Sequence, residues 1–210
     1  MQRKIPDSFI EYVFRGRRKM LERMLLSKGI KQEGYLGVAR RQEIYLGFTR
    51  HNPVVISCGP AGINGSVKGV GFVPKQRYLA ELKDLVLEKV RERISQADAV
   101  RLLLEEIYVE ERLDFSKLSS IELARKHTWV NLKANPRATL VFYTPPTVSY
   151  EVRVDVEIHE SGDIWEYVNG LHDLYHRAAR GRDWSKTPVY VFKIREIYDN
   201  SPAKMGERIF

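Results

Sequence analysis

The sequence predicts an α+β protein with antiparallel, Greek-key-like β structure, an N-terminal helix and a helical insertion. Two groups of short segments rich in β-branched and aromatic residues are separated by Gly, Pro and Asn positions, which favours strands and turns. Between the two groups, apolar residues recur at helical spacing. The length of 210 residues and the hydrophobic content of 43% suffice for one packed domain. We therefore divide the chain into a basic N-terminal helix, residues 1–33, and a β domain, residues 34–210, with the helical insertion at about 74–124.

The N-terminal segment predicts a helix over residues 9–28. Its apolar residues have helical spacing, and Ser8 and Glu11 form a capping-box pattern at its start. Gly16 is a weak point within this helix. The first 32 residues contain nine Lys or Arg and three Asp or Glu, a difference of +6. The helix therefore carries a basic cluster, which we call the N-terminal basic cluster: Arg15, Arg17, Arg18 and Lys19.

A meander of short strands is predicted for residues 34–73. The strand-like runs are residues 35–39, 43–49, 54–58 and 66–73. Asn64 and Gly65 predict a hairpin turn, because both tolerate the positive φ that a type I′ turn requires. This meander is consistent with half of a small barrel.

The insertion and the C-terminal half predict further helices and strands. Helices are expected over residues 76–93 and within 95–111, and Ser119 with Glu122 suggests the start of another helix. Strands are expected at 137–144, 149–159 and 188–195, with a helix beginning near Asp163 between the last two.

Composition limits the function classes. The chain has a net charge of +8 and 30% charged residues. Its apolar runs are too short to span a membrane, and its start lacks the apolar core of a signal peptide. The single Cys58 excludes an internal disulfide, so we expect a cytoplasmic protein.

The segment Lys126 to Tyr143 contains an abrupt change from helix to strand. Pro136 lacks a backbone N–H and disfavours the α region at Asn135, so a helix must end there. The next residues are β-branched and aromatic. Positive charge and a hydroxyl precede the helix at Arg125, Lys126, His127 and Thr128, a combination that suits a phosphate group.

This segment resembles the pyridoxamine 5′-phosphate oxidase-like FMN-binding split barrels. Those proteins commonly have a Ser-Arg-Lys cluster, a helical turn and then Leu-x-x-Asn-Pro-x-Ala-x-Leu-x-Phe. The matching residues here are Leu132, Asn135, Pro136, Ala138, Leu140 and Phe142. The resemblance lies mainly in residues 125–195, and this chain has Lys126, His127 and Thr128 where the family has Ser-Arg-Lys.

The resemblance implies a split barrel that binds FMN in a cleft between two subunits, and hence a homodimer with a small-molecule ligand or substrate. An FMN-dependent oxidoreductase of unknown substrate follows, in which the cofactor carries the hydride chemistry. The residues that would bind the cofactor, with its phosphate at the helix start, are Arg125, Lys126, His127, Thr128 and Asn131. No catalytic side chain is assigned.

Two other functions remain open at this stage. The N-terminal basic cluster, with Tyr12 and Phe14 nearby, could serve a nucleic-acid or phosphate-ligand binding module that uses no flavin. His172 and His176, four residues apart, could share a metal in a hydrolase, with Asp173 where zinc proteases have Glu. Because two histidines at a helix edge more often pack than ligate, we assign no metal.

Overall fold

The computed structural model describes residues 4–27, 45–176 and 182–210. The helices are α1 (Asp7–Ile10), α2 (Gly16–Ser27), α3 (Gln76–Glu92), α4 (Gln96–Leu102), α5 (His127–Ala134) and α6 (Asp163–His176). A π-helical turn, Glu11–Arg15, joins α1 to α2, and a second, Leu103–Ile107, continues α4. Two 3-10 turns lie at Glu110–Arg112 and Trp184–Lys186.

The described residues also form one antiparallel sheet of eight strands. The strands are β1 (Val54–Gly59), β2 (Gly62–Val67), β3 (Gly71–Pro74), β4 (Leu113–Ile121), β5 (Arg137–Thr144), β6 (Val148–His159), β7 (Val189–Asp199) and β8 (Glu207–Arg208). The α+β class predicted from the sequence is confirmed.

The strand order makes the sheet a Greek key. Seven strands lie in the order β2-β1-β5-β6-β7-β4-β3, and β8 pairs with β7. Strands β5, β6 and β7 follow one another as hairpins, and β4, which precedes them in the chain, pairs with β7. Three consecutive strands with a fourth that returns beside them define this motif.

The sheet must curl into a barrel that is open along one side. Its two edge strands, β2 and β3, would lie about 29 Å apart in a flat sheet of seven strands. Only residues 68–70 connect them, and the path from Val67 to Gly71 spans at most about 15 Å. The edges are therefore brought together at this connection, and the predicted split-barrel arrangement is confirmed.

The first hairpin turns at a different place from the one predicted. Strands β1 and β2 pair from Val54 with Val67 to Gly59 with Gly62, so the turn consists of Pro60 and Ala61. Proline fixes φ near −65° in such a turn, and Gly62 supplies a positive φ of 79°. The prediction of a turn at Asn64 and Gly65 was wrong, because both residues pair within β2.

Two further local predictions were wrong. Ser119 and Glu122 do not begin a helix, because Ser119 lies in β4 between β3 and β7. The segment at 74–124 thus has its helices between Gln76 and Ile107, followed by the first 3-10 turn and then strand β4. Residues 45–49, part of a predicted strand, are helical, and the Thr49 hydroxyl donates a hydrogen bond to the carbonyl of Leu46.

The N-terminal helix contributes large aromatic side chains to the core. Phe9 and Tyr12 pack against Phe142 of β5 and Tyr150 of β6, with ring centroids 5.2 to 6.1 Å apart. Phe14 packs edge-on against Phe72 of β3 at 5.2 Å. The predicted capping box was wrong, because neither Ser8 nor Glu11 caps α1; Pro6 precedes its first residue.

The remaining predicted segments lie close to the observed ones. The helix over 76–93 is α3, and the strands at 137–144, 149–159 and 188–195 are β5, β6 and β7. Helix α5 ends at Ala134, directly before Asn135 and Pro136, as the proline predicts. The predicted strand at 35–39 and the boundary at residue 33 lie outside the described residues.

Candidate functional site

The start of α5 exposes three of the predicted cofactor-binding residues. Arg125, Lys126 and His127, which we call the α5 basic cluster, are all exposed. Arg125 has a positive φ of 47°, lies over the ring of Trp129 at 5.2 Å and pairs with Glu160 at 3.4 Å. Among the described residues, Lys126 and His127 form no ion pair. Lys126 and His127 are therefore free to meet an anion from solvent, whereas Arg125 already has partners within the chain.

The other two predicted residues, Thr128 and Asn131, are buried and hold α5 against the first hairpin. The hydroxyl of Thr128 accepts a hydrogen bond from the Asn64 amide at 2.7 Å and lies 3.0 Å from the Ser66 hydroxyl. The Asn131 amide oxygen accepts from the backbone N–H of Ala61 at 2.9 Å, and its NH₂ donates to the Gly62 carbonyl at 2.7 Å. These contacts place the first turn of α5 directly against β2.

This hairpin needs glycine where α5 crosses it. A Cβ on Gly59 would lie 2.9 Å from the Cα of Asn131, too close for any other residue. The helix, the buried amide and the hairpin thus form one rigid unit, on which the α5 basic cluster is carried.

The outer surface of strands β2, β1 and β5 is apolar. Antiparallel strands that face water usually expose polar residues, but here six outward positions are hydrophobic, although Arg137 and Thr139 of β5 lie on the same surface. We call this surface the apolar face; it consists of Val54, Ile56, Ile63, Val67, Val141 and Tyr143. Ile63 is 83% exposed and Val67 is 69% exposed. An exposed apolar patch of this kind marks an interaction surface.

A cavity of about 500 Å³ lies where the barrel is open. Its walls come from the connection between β2 and β3, the end of β4, and helices α2 and α6. Because Arg17 and three histidines line it, we call it the arginine–histidine cavity; the polar lining includes Arg17, His51, Asn52, Lys68, Ser119, Ser120, Glu122, His172 and His176. The apolar lining includes Met20, Leu21, Phe48, Leu103, Val168 and Leu171.

One end of this cavity holds a buried ion pair. Lys68 lies 2.8 Å from Glu122, and both side chains are largely buried. The carboxylate also accepts hydrogen bonds from the Tyr190 hydroxyl and from the backbone N–H groups of Ala124 and Arg125. Burial alone would raise the pKa of Glu122, but these donors outweigh it and lower the pKa below its usual value.

The other end holds Arg17 without a carboxylate partner among the described residues. Its Nη1 donates to the carbonyl of Val70 at 2.8 Å, and its guanidinium carbon lies 5.1 Å from the ring centroid of Tyr108. Its Nε is buried and has no hydrogen-bond partner in the described part of the chain, and the same is true of Nδ1 of His51. Burial and then the charge of Arg17 lower the pKa of His51 to about 2.

His172 and His176 lie on one face of α6, as their spacing predicts. Their ring centroids are 4.6 Å apart, and burial lowers the pKa of each. Asp173 is already bound by Arg182 at 3.0 Å and by the Trp184 N–H at 2.7 Å. No group of three metal-ligating side chains occurs within the described parts of the chain.

Internal partners occupy the rest of the N-terminal basic cluster. Arg15 pairs with Asp7 at 2.9 Å and with Glu110 at 2.8 Å. Arg18 donates to the carbonyls of Leu104 and Tyr108. Tyr12 and Phe14, which could stack on bases, are buried.

Sequence reasoning missed the arginine–histidine cavity. Its lining comes from segments far apart in the chain, so no local motif joins them. The only signal was the pair His172 and His176, which the spacing placed on one helix face.

No helix among the described residues has the length and apolar character needed to cross a bilayer.

No family model and no curated protein sequence match the chain. Solved structures similar to it include HupZ of Group A Streptococcus, with 12% identity, a TM-score of 0.48, and coverage of 78% of this chain and 93% of that one. A candidate pyridoxamine 5′-phosphate oxidase from Listeria innocua has 10% identity, a TM-score of 0.45, and coverage of 76% and 97%. A pyridoxamine 5′-phosphate oxidase-related, FMN-binding protein from Nostoc punctiforme has 10% identity, a TM-score of 0.41, and coverage of 80% and 84%.

The Listeria and Nostoc proteins carry the name of the family that the chain resembles. All three TM-scores lie below 0.5.

Proposed function

We propose that the chain is an FMN-binding protein that uses the α5 basic cluster for the phosphate of the cofactor. The observation that carries the proposal is the position of this cluster. The exposed cations lie at the start of α5. Thr128 and Asn131 hold this part of the helix against the hairpin of β1 and β2, and the outer surface of that hairpin is apolar. A flat aromatic ring system with a phosphate requires this combination of charge and apolar surface.

The five predicted residues fit the phosphate end of the cofactor in two roles: some would contact the phosphate, and the others position the start of the helix. Lys126 supplies charge, His127 supplies an N–H donor, and Arg125 adds a guanidinium beside them. Thr128 and Asn131 position the helix start, because their polar atoms already serve internal hydrogen bonds. When bound, FMN would supply hydride transfer, which makes an oxidoreductase acting on a small molecule the proposed activity.

We further propose that the protein acts as a homodimer through the apolar face. Most outward positions of β2, β1 and β5 are hydrophobic, whereas those of β6 and β7 carry ion pairs such as Arg153 with Glu196 at 3.1 Å. A second copy covering the apolar face would remove it from water. It would also form a cleft between subunits beside the hairpin that α5 supports, where the resemblance implies the flavin ring.

A titration with FMN tests the cofactor proposal. The visible spectrum of the purified protein and the quenching of flavin fluorescence report binding. We expect saturable binding in wild type and binding at least several-fold weaker in Lys126→Ala. Lys133→Ala is the matched control, because Lys133 is exposed on the last turn of the same helix. Equal affinity in wild type and Lys126→Ala would remove this assignment.

Sedimentation of a matched pair of variants tests the dimer. We expect wild type at twice the chain mass of 24.4 kDa, Ile63→Glu at the mass of one chain, and a loss of FMN binding in Ile63→Glu. Met205→Glu is the control, because Ile63 and Met205 are both 83% exposed and Met205 lies outside the apolar face. A dimer in Ile63→Glu would show that another surface joins the subunits.

A nucleic-acid or phosphate-ligand module based on the N-terminal basic cluster has less support, since Arg15 and Arg18 are bound internally. A hydrolase based on His172 and His176 lacks a free carboxylate at Asp173.

A further inference from the structure

The arginine–histidine cavity contains an unbalanced positive charge. Among the described residues that line it, Glu122 is the one acid, and Lys68 neutralises it at 2.8 Å. Arg17 has no carboxylate within ion-pair distance among the described residues, in contrast to its neighbour Arg15, which has Asp7 and Glu110. A guanidinium that is partly removed from water without a counter-ion favours the arrival of an anion.

Two buried polar atoms in the cavity have no hydrogen-bond partner among the residues that the structure describes. Nε of Arg17 is a fixed N–H donor, and Nδ1 of His51 is the second unpartnered atom. Buried polar groups are nearly always hydrogen-bonded, so each unpaired group calls for an explanation. The carbonyl of Val70 accepts from Nη1 of Arg17 at 2.8 Å and so fixes the orientation of the guanidinium.

The aromatic rings of Phe72 and Tyr108 support the guanidinium. Their ring centroids lie 5.7 Å and 5.1 Å from its central carbon. Stacking of this kind holds the plane of the group while its N–H edge remains available for a bidentate contact. Arg17 is therefore preorganised for a planar carboxylate or a phosphate.

The rest of the cavity is apolar enough to accept the body of an organic molecule. Its apolar lining includes Met20, Leu21, Phe48, Leu103, Val168 and Leu171. The volume of about 500 Å³ is in the range of small-molecule sites. A simple inorganic ion would leave this apolar surface uncovered.

We propose that the arginine–histidine cavity binds a small organic anion, whose carboxylate or phosphate group contacts Arg17 and His51 and whose apolar or aromatic body fills the remainder. The site differs from the α5 basic cluster in its residues, so it does not depend on flavin binding. In a flavin-dependent enzyme it would hold an acidic substrate or effector.

Calorimetric titration of the full-length, flavin-free protein with three probes of similar size tests this proposal. Benzoate carries a carboxylate, phenyl phosphate carries a phosphate, and benzamide is neutral. We expect saturable one-to-one binding of at least one anionic probe, and at least tenfold weaker binding of benzamide. The stronger of the two anions identifies the ligand class.

Variants of neighbouring arginines show whether the probe binds where we propose. Arg17→Met is expected to lower the affinity for the anionic probe at least tenfold. Arg17→Lys, which keeps the charge, is expected to lower this affinity less. Arg18→Met and the flavin-site variant Lys126→Ala are expected to bind the probe like wild type. If Arg17→Met fails to fold, two other measurements replace it. One is the affinity of His51→Gln for the probe. The other is the probe-induced shift of the His51 and His176 ring resonances in wild type.

Equal binding of benzoate, phenyl phosphate and benzamide would overturn the proposal. So would a lack of saturable binding by either anion, or unchanged affinity in both Arg17→Met and His51→Gln. If Lys126→Ala loses FMN binding but still binds the probe, the cavity and the flavin site bind their ligands independently.

Discussion

The two basic clusters of this chain have similar compositions and opposite environments. The N-terminal basic cluster lies on a helix whose aromatic residues are in the core, and its arginines bind carboxylates, carbonyls and aromatic rings of the same chain. The α5 basic cluster lies at the exposed start of a short helix, where Lys126 and His127 have no ion pair among the described residues. Partners within the fold, rather than the number of charges, therefore decide which side chains can bind a ligand. Lys126 and His127 are available in one cluster, and in the other only Arg17 keeps a buried N–H without a partner among the described residues.

The comparison also separates two roles within α5. Its exposed residues carry the charge, and its buried residues fix where that charge lies. A rigid element that carries a binding group holds it more precisely than a loop does. Substitutions of buried and exposed residues should therefore affect different measurements.

Loss of the buried amide should have the largest effect. Asn131→Ala removes contacts to Ala61 and Gly62 and leaves their backbone groups unpaired. We expect the free energy of unfolding to fall by about 2–4 kcal/mol, measured by urea denaturation. Asn135→Ala is the control, because Asn135 is exposed and donates to the Cys58 carbonyl at 3.1 Å. If Asn131→Ala kept full stability but lost FMN, Asn131 would be a ligand rather than a support.

Acidification should destabilise the arginine–histidine cavity. The pKa of His51 is lowered to about 2, first by burial and then by Arg17, and burial also lowers the pKa values of His172 and His176. The unfolded chain therefore binds more protons below pH about 6.5. Stability should fall as the pH falls from there, by up to about 1.4 kcal/mol per pH unit for each histidine.

The variant His51→Gln isolates one of these contributions. Between pH 7 and 5, its free energy of unfolding should depend less steeply on pH than that of wild type. The two slopes should differ by up to about 1.4 kcal/mol per pH unit. Parallel curves for the two proteins would mean that His51 has the same affinity for protons in both states.

Removal of Arg18 should reveal the structural role of the N-terminal basic cluster. Arg18→Met leaves the carbonyls of Leu104 and Tyr108 without their donor. We expect a loss of about 1–2 kcal/mol in the free energy of unfolding and no change in FMN affinity. Arg101→Met, at an exposed arginine paired with Asp98, should change stability by less than about 0.5 kcal/mol. A weaker affinity for FMN in Arg18→Met would assign that cluster a binding role.

The sequence predicted best those elements whose signals are local. Pro136 ends α5 whatever surrounds it, and the β-branched run after it forms β5. Predictions from local signals were wrong where tertiary contacts determine the local structure. Asn64 and Gly65 have turn propensity, yet Asn64 bonds Thr128 within a regular strand, and Pro60 makes the turn instead.

Strand β4 was missed because its burial comes from the sheet rather than from its own pattern. Ser119 and Ser120 are buried between β3 and β7, and the Ser120 hydroxyl donates to the carbonyl of Gly69. Ser119 with Glu122 three residues later has the spacing of a capping box, which is why the sequence predicted a helix start here.

The candidate site, like the fold, was predicted only where its residues are close together in the sequence. The α5 basic cluster is contiguous in sequence and was identified, but the internal roles of Thr128 and Asn131 depend on the hairpin packed against them. The arginine–histidine cavity joins residue 17 to residue 176, and no spacing in the sequence indicates that contact.

The most direct test of the central claim is the ratio of affinities for FMN and riboflavin, which differ by the phosphate. We expect wild type to bind FMN at least tenfold more tightly than riboflavin, since charge-assisted contacts to the phosphate contribute about 1.5–3 kcal/mol. We expect this ratio to fall towards one in Lys126→Ala and to be unchanged in Lys133→Ala. Equal affinities for FMN and riboflavin in wild type would contradict this claim.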